Sequence, residues 1–468
     1  MKKQFVLLLV ASALMACGAP SPEDIAAKTG NDIEELVKGS ITTARYTNSM
    51  QTRDEALTSI GISSSDTRYQ MPEASSTDQS FADWKILTGR IFREENIIDR
   101  PAGAVVFALK GVDLCTPLRS AEPADPRCVQ DIDRAQLALR GSGDVDLTLL
   151  VGPNRYEPVV LRVRSKQSLA VEIDLAQATL ASDYLQTIFN QGSGPVTTTS
   201  GSGKVELKLE RHADTDYSLR LSILEDVTVR VTDPDGIARV FTSKATQPLA
   251  SLRVDGAARR ISTELNAGPT EYQGLWSDWY SSASVSLRTP MVASLSGFHW
   301  SAVLQDGQNS HTVNVGLGSG QSSLTFAGQK VFALDLNESL GRRLEMEWTK
   351  SAAGAPLLKI KPGLHAQLFF KLQPVKDAGD SVSDDLLNAT YAYSFLEQSG
   401  QVPSLEVLKP SNDGTWQGGV RLVSGQLTLS SNNPGLPSRS FSAGTCLTGF
   451  NGQSTNSMLD LFSAAACP

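Results

Sequence analysis

Residues that could do chemistry are present in this chain, but few stand where chemistry needs them. The four histidines, His212, His299, His311 and His365, are scattered, with neither HExxH spacing nor the grouping of a facial triad. Asp214 and Asp216 stand close to His212, and Asp233 is near Asp235. Asp233 and Asp235 lack the third acid of a calcium loop and read as a hairpin turn; Asp214 and Asp216 could ligate a metal with His212, but a turn is the preferred reading. Nucleophilic hydrolases present a serine in G-x-S-x-G or S-x-x-K, and neither pattern occurs. Gly201-Ser202-Gly203-Lys204 has the glycines of a phosphate loop. Val205, however, takes the place of the Ser or Thr that would reach a metal ion, so the segment reads as a turn opening a strand. Neither a metal ion nor a cofactor is expected.

Two groups of residues remain. Tyr272, Trp276, Trp279 and Tyr280 form the one aromatic concentration. Flat rings with polar edges could stack on sugars or sit at a membrane interface; the alternative is that they plug the end of a sandwich or barrel. The second group is cysteine. Cys115 and Cys128, and Cys446 and Cys467, are close enough in sequence to close two short disulfide loops in an oxidising compartment. Neither pair has CxxC spacing or a histidine nearby, which argues against zinc.

The fifth cysteine has a different context. Lys2 and Lys3 precede an apolar run from Phe5 to Met15, too short to span a bilayer as a helix. The run ends in Leu14-Met15-Ala16-Cys17: a large aliphatic residue, then a small residue, then the cysteine. These first seventeen residues resemble the bacterial lipoprotein signal class. The resemblance implies cleavage before Cys17 and a thioether-linked diacylglycerol on it, with a third, amide-linked chain in most Gram-negative species. Two or three chains anchor a protein stably where one does not. Gly18, in place of an inner-membrane aspartate signal, implies an outer-membrane destination. A covalent lipid on Cys17 and a membrane partner through it are thus expected.

Charge narrows the partners further. The chain has 42 basic and 50 acidic residues. Removing residues 1–16 takes away Lys2 and Lys3, which leaves 40 − 50 = −10. Nucleic-acid binders carry basic stripes, so nucleic acid is excluded as a partner. The partners left are an apolar ligand or another envelope protein.

The elements that would position any site are mostly strands. Ser21-Pro22-Glu23-Asp24 predicts a helix start, with Ile25, Ile33, Leu36 and Val37 on one face and an interruption at Gly30. A second helical stretch is expected over Asp54–Ile60 and a third over Phe81–Ile98. Beyond Val105 the chain alternates at period two: Val145, Leu147 and Leu149; Leu161 and Val163; Leu169, Val171 and Ile173; Val205, Leu207 and Leu209; Leu219 and Leu221; Val227, Val229 and Val231. Turn residues separate these runs, as at Asp233-Pro234-Asp235-Gly236. Gly141–Leu147 recurs in outline as Gly201–Leu207, which predicts a duplication. Leu180, Tyr184, Leu185, Ile188 and Phe189 predict a helix that covers the sheet.

The expected fold is mostly β, with antiparallel sheets forming a sandwich or a curved half-barrel, N-terminal helices and a small C-terminal β domain. The expected divisions are a signal peptide over 1–16, a lipidated tether over 17–80, a main domain over 81–375 and a disulfide-stapled domain over 376–468. Residues such as Leu147, Leu161, Val171, Leu207 and Val229 are expected to wall a packed core, with a groove able to hold an acyl chain as the alternative. Two functions fit: a non-catalytic envelope protein that binds a ligand or scaffolds a partner, or an envelope hydrolase with no readable motif. The missing motifs favour the first.

Overall fold

The computed structural model describes residues 22–54, 70–71, 89–100, 104–108, 136–141, 145–150, 159–164, 166–176, 198–232, 236–278, 289–308, 311–317, 321–338, 346–350, 356–361, 364–379, 381–408, 419–448, 463–465 and 467. These residues are mostly β, in antiparallel sheets, with one long helix near the N-terminus. The chain divides into two units, residues 1–39 with 72–172 and residues 40–71 with 173–468.

The helix α1 (Pro22–Arg45), which lies in the first unit as far as Gly39, starts at the predicted proline but runs unbroken through Gly30. One glycine inside a helix costs about 1 kcal/mol. Burying Ala26 and Ile33 against Phe107 and Val163 outweighs it. The strands β1 (Ile97–Asp99), β2 (Ala104–Ala108), β3 (Gln136–Gly141), β4 (Val145–Leu150) and β5 (Val159–Arg164) pair in order as an antiparallel meander. Ile97 and Ile98 are therefore strand residues, not the end of a helix. Ile97 stands opposite Phe107, a pairing that suits its β-branched side chain. Phe92 meets Phe107 edge to face, with centroids 5.3 Å apart. The strand β6 (Ser168–Asp174) follows.

The second unit follows one rule along its length. After β7 (Thr198–Ser202), β8 (Lys204–Ala213) and β9 (Asp216–Ile223) form a hairpin in one sheet, and β10 (Val227–Thr232) and β11 (Ala238–Ser243) form a hairpin in a second sheet. The chain then returns for β12 (Thr246–Asp255) and β13 (Arg260–Ala267), and crosses again for β14 (Thr270–Leu275) and β15 (Pro290–Leu295). The alternation continues with β16 (Phe298–Gln305) and β17 (Thr312–Leu317), then β18 (Gln321–Phe326) and β19 (Gln329–Glu338). Next come β20 (Met346–Lys350) and β21 (Pro356–Ile360), then β22 (Leu364–Phe370) and β23 (Ala389–Leu396). It ends with β24 (Ser404–Leu408) and β25 (Gly419–Ser424), β26 (Gln426–Ser431) and β27 (Arg439–Ser442), and β28 (Cys446–Thr448) with β29 (Ser463–Ala465). Each hairpin pairs with the next one in its own sheet, as β9 does with β12 and β11 with β14.

This rule puts every sheet-to-sheet crossing on one edge and every hairpin turn on the other. The crossings are short: Lys244-Ala245 joins β11 to β12, Gly268-Pro269 joins β13 to β14, and Ser296-Gly297 joins β15 to β16. Links this short hold the two sheets together along that edge, as a spine holds two covers. The opposite edge is tied only by whatever packs there. Gly203 belongs to the spine. Its φ of +93° suits glycine, and a Cβ there would lie 2.3 Å from the Asp226 carbonyl oxygen.

The geometry also separates the two halves of the predicted duplication. Gly141 stands opposite Val145 in a hairpin within one sheet. Gly201 lies on β7, which pairs with β10, whereas β8 pairs with β9, so the second glycine run crosses between sheets. The short helix α2 (Gln373–Asp377) lies at the domain boundary expected near Lys376. Strands before and after it pair directly, β22 with β23 and β21 with β24. At the C-terminal end the sheets close on Tyr391, Leu422, Leu427, Leu429 and Leu447, all fully buried. Cys446 and Cys467 are disulfide-bonded there, with Cα atoms 5.1 Å apart. Cys17, Cys115, Cys128 and the predicted helix over Leu180–Phe189 lie outside the described residues, as do most residues of the helix predicted at Asp54–Ile60.

Candidate functional site

The first hairpins of the second unit have one face laced with charge. Asp216 receives both nitrogens of a bidentate Arg253 fork at 2.8 and 2.6 Å. Those hydrogen bonds hold the Asp216 carboxyl below the usual aspartate range and raise Arg253. Glu210 meets Lys208 at 2.7 Å and Arg220 at 3.2 Å. Burial works against its ionisation, but the bond and charge of Lys208, then Arg220 and His212, lower it overall. His212 bonds the Ser218 hydroxyl at 2.8 Å. This is the outward face.

The other face of the same strands is apolar, and the register identifies it as the inner one. Cross-strand partners share a face, so Leu207, Leu221, Ala250, Leu265, Trp300, Val315, Met346 and Ile360 form one row across the sheet. Met346 and Ile360 reach the C-terminal core. The second sheet answers with Val229, Phe241, Tyr272, Ala293, Leu324, Phe332, Phe370 and Ala389.

At the C-terminal end these rows are packed, but at the other end they are not. Leu207 is 44% exposed, Leu219 42%, Leu221 37% and Leu252 43%. On β9 the exposed pair lies between two buried residues of the same face. Ile223 packs at the spine with Val227 and Leu175, and Tyr217 is buried at the far end. Contiguous apolar patches left open in this way are rare on protein surfaces outside interaction sites. The packed core expected around Leu207 is corrected here: Leu207 shares the inner face but is 44% exposed.

Elsewhere that free edge is plugged. Residues 46–53 cross it, with the Thr52 amide donating to Asp306 at 3.3 Å, Arg259 paired to Asp306 at 2.7 Å, and Met50 buried. The Tyr46 ring lies against Gly256, where a Cβ would come within 2.5 Å of it. Farther along, Trp276 packs edge to face on Phe326 at 5.1 Å, together with Val331 and with Val375 of α2. The first of these segments meets the turns at the ends of β8 and β12, where Tyr217 and Val254 are buried; Leu207, Leu219, Leu221 and Leu252, farther from that edge, are exposed.

The structure places the other predicted residues as follows. Tyr272 lies in the inner row of the second sheet and Trp276 in the plug, while Trp279 and Tyr280 are outside the described residues. His299 bonds Asn266 at 2.5 Å and His365 bonds Ser394 at 2.7 Å, both across strands. His311 is buried, which pushes its imidazole down against the opposing pull of Asp306. Among the described residues no three His, Cys, Asp or Glu side chains group as metal ligands, and no helix is long and apolar enough to cross a membrane. The uncovered leucines were legible only as strand residues. Their alternation gives the face and not whether that face is covered.

No family model matches the sequence, and no curated protein and no solved structure matches it.

Proposed function

We propose that this chain is a lipid-anchored cell-envelope protein that holds an apolar ligand, without catalysis, on the uncovered inner face of its second unit. The exposed row of Leu207, Leu219, Leu221 and Leu252 carries the reading. It stands on the dry side of strands whose other side is zipped by ion pairs, so its exposure is not that of an ordinary outer surface. The leader ending in Leu14-Met15-Ala16-Cys17 supports the address: cleavage before Cys17, a diacylglycerol on its sulfur, and an outer-membrane location favoured by Gly18.

Solvent extraction of the purified protein followed by lipid mass spectrometry tests the binding. An apolar species beyond the Cys17 lipid is expected, and its loss on Leu219→Glu would place it on this face. A protein that comes off membranes and out of lipid extracts with nothing bound would overturn the reading. Mass spectrometry of the mature N-terminus tests the anchor separately. A diacylated Cys17 is expected, and an unmodified terminus elsewhere would remove it.

A further inference from the structure

One segment of the second unit belongs to neither sheet. Residues 40–71 lie in sequence between two stretches of the first unit, 1–39 and 72–172, yet group with the second. Within them, a 3-10 turn (Tyr46–Ser49) and a helical turn over 51–54 are seated on the turns of the β8–β9, β12–β13 and β16–β17 hairpins. The Tyr46 ring lies on Gly256 beside Thr215. The Ser49 carbonyl accepts from Arg259 at 3.3 Å, and Thr52 donates to Asp306 at 3.3 Å and to the Gln305 carbonyl at 3.4 Å.

Each side of this contact is held together without the other. On the segment, Arg53 donates to the Thr47 carbonyl at 3.1 Å and to Asn48 at 3.2 Å, Ser49 donates to the Tyr46 carbonyl at 2.9 Å, and Asn48 accepts from the Met71 amide at 3.1 Å. On the seat, Arg259 holds the Asp306 carboxylate at 2.7 Å, and the Asp306 amide donates to the Arg259 carbonyl at 3.1 Å. Each of these bonds is shorter than those that join segment to seat. The segment can therefore lift as one piece and leave its seat formed, an opening that costs less than global unfolding.

The register gives what the segment borders. The turns at Thr215 and Gly256 end β8 and β12, and the last opposed inner-face pair before them, Tyr217 and Val254, is buried. Next on that face come Leu219 and Leu252, which are exposed. From this arrangement we infer that residues 46–53 are a strap that regulates the apolar face. Docked, the strap ends the face at Leu219 and Leu252; released, it extends the face onto Tyr217 and Val254. The inference rests on the apolar-ligand reading above.

Hydrogen exchange and photolabelling test it on the full-length protein in lipid nanodiscs. In the wild type, amides of residues 46–53 should exchange at denaturant concentrations that leave β9 and β12 protected. Asp306→Ala removes the acceptor on the seat, and Met50→Glu puts a charge on a side chain that the docked strap buries. Each variant should speed exchange over residues 46–53 about ten-fold while peptides of β23 and β26 keep their protection. A photoreactive hexadecanol, with its labels located by peptide fragmentation, should mark Leu219, Leu221 and Leu252 in the wild type and reach Tyr217 and Val254 as well in both variants. Faster exchange with labels still confined to the leucines would overturn the strap and leave the apolar reading standing. Wild-type exchange over residues 46–53 that waits for the unfolding of β9 and β12 would also overturn it, and this measurement decides alone if a variant fails to fold. If the probe marks none of these residues in any of the proteins, both readings fall.

Discussion

Leu219 and Leu252 stand opposite each other on neighbouring strands, and each is more than two-fifths exposed on the inner face of its sheet. The next pair on that face, Tyr217 and Val254, is buried. The boundary between covered and uncovered core therefore falls within a single pair of strands.

Stability should follow that boundary. Leu422→Ala removes a fully buried side chain and should cost about 2–5 kcal/mol, the usual range for a buried leucine. Leu219→Ala and Leu252→Ala should each cost roughly 1 kcal/mol or less, since much of the side chain already meets water. Urea midpoints for the three variants check this, and equal losses would mean that the face is covered in solution.

The spine can be tested at one atom. Gly203→Ala combines a positive φ with a Cβ 2.3 Å from the Asp226 carbonyl oxygen, and should cost more than about 1 kcal/mol. Gly307→Ala, at φ +77° with nothing within 4 Å, carries only the backbone strain and should cost less. Thermal denaturation of both gives the difference. If the two variants prove equal, the crossing at Gly203 is looser than the structure shows.

His311 makes stability depend on pH. Its folded pKa lies below the ordinary value of 6.5, so the unfolded chain binds the proton more readily. The contribution is complete above 6.5 and is lost as the pH falls through the folded value. The thermal midpoint of the wild type should therefore drop from pH 7 to pH 5 by more than that of His311→Gln. Parallel curves would show that His311 contributes nothing.

The C-terminal disulfide closes a loop of 21 residues, and losing a bridge of that size costs about 2–4 kcal/mol. Cys446→Ser/Cys467→Ser should lower the urea midpoint accordingly. Non-reducing peptide mapping should also find Cys115 linked to Cys128, and free thiols at those two positions would refute that pairing.

Much of the strand content was legible because period two is local. Val205, Leu207 and Leu209 alternate with Lys204, Glu206 and Lys208 whatever lies opposite them, and the ion pairs of the outward face follow from the same alternation. Helix length and the Ile97–Asp99 strand were misjudged because Phe107 bears on both: it packs on Ala26 and Ile33 from far along the chain, and it pairs with Ile97 across a hairpin that period alone does not reveal. The resemblance of the two glycine runs misled for a related reason. A turn within a sheet and a crossing between sheets call for similar residues, and only the partner strand tells them apart.

The sequence alone determined which residues of a strand face the same way and where many of the turns fall, since each depends on neighbours a few positions apart. Tertiary structure decided which hairpin lies in which sheet, on which edge the crossings fall, and that Leu219 and Leu252 are left uncovered while Leu422 is sealed. Coverage of an apolar face is set by what packs on it from elsewhere in the chain, and alternation carries no record of that.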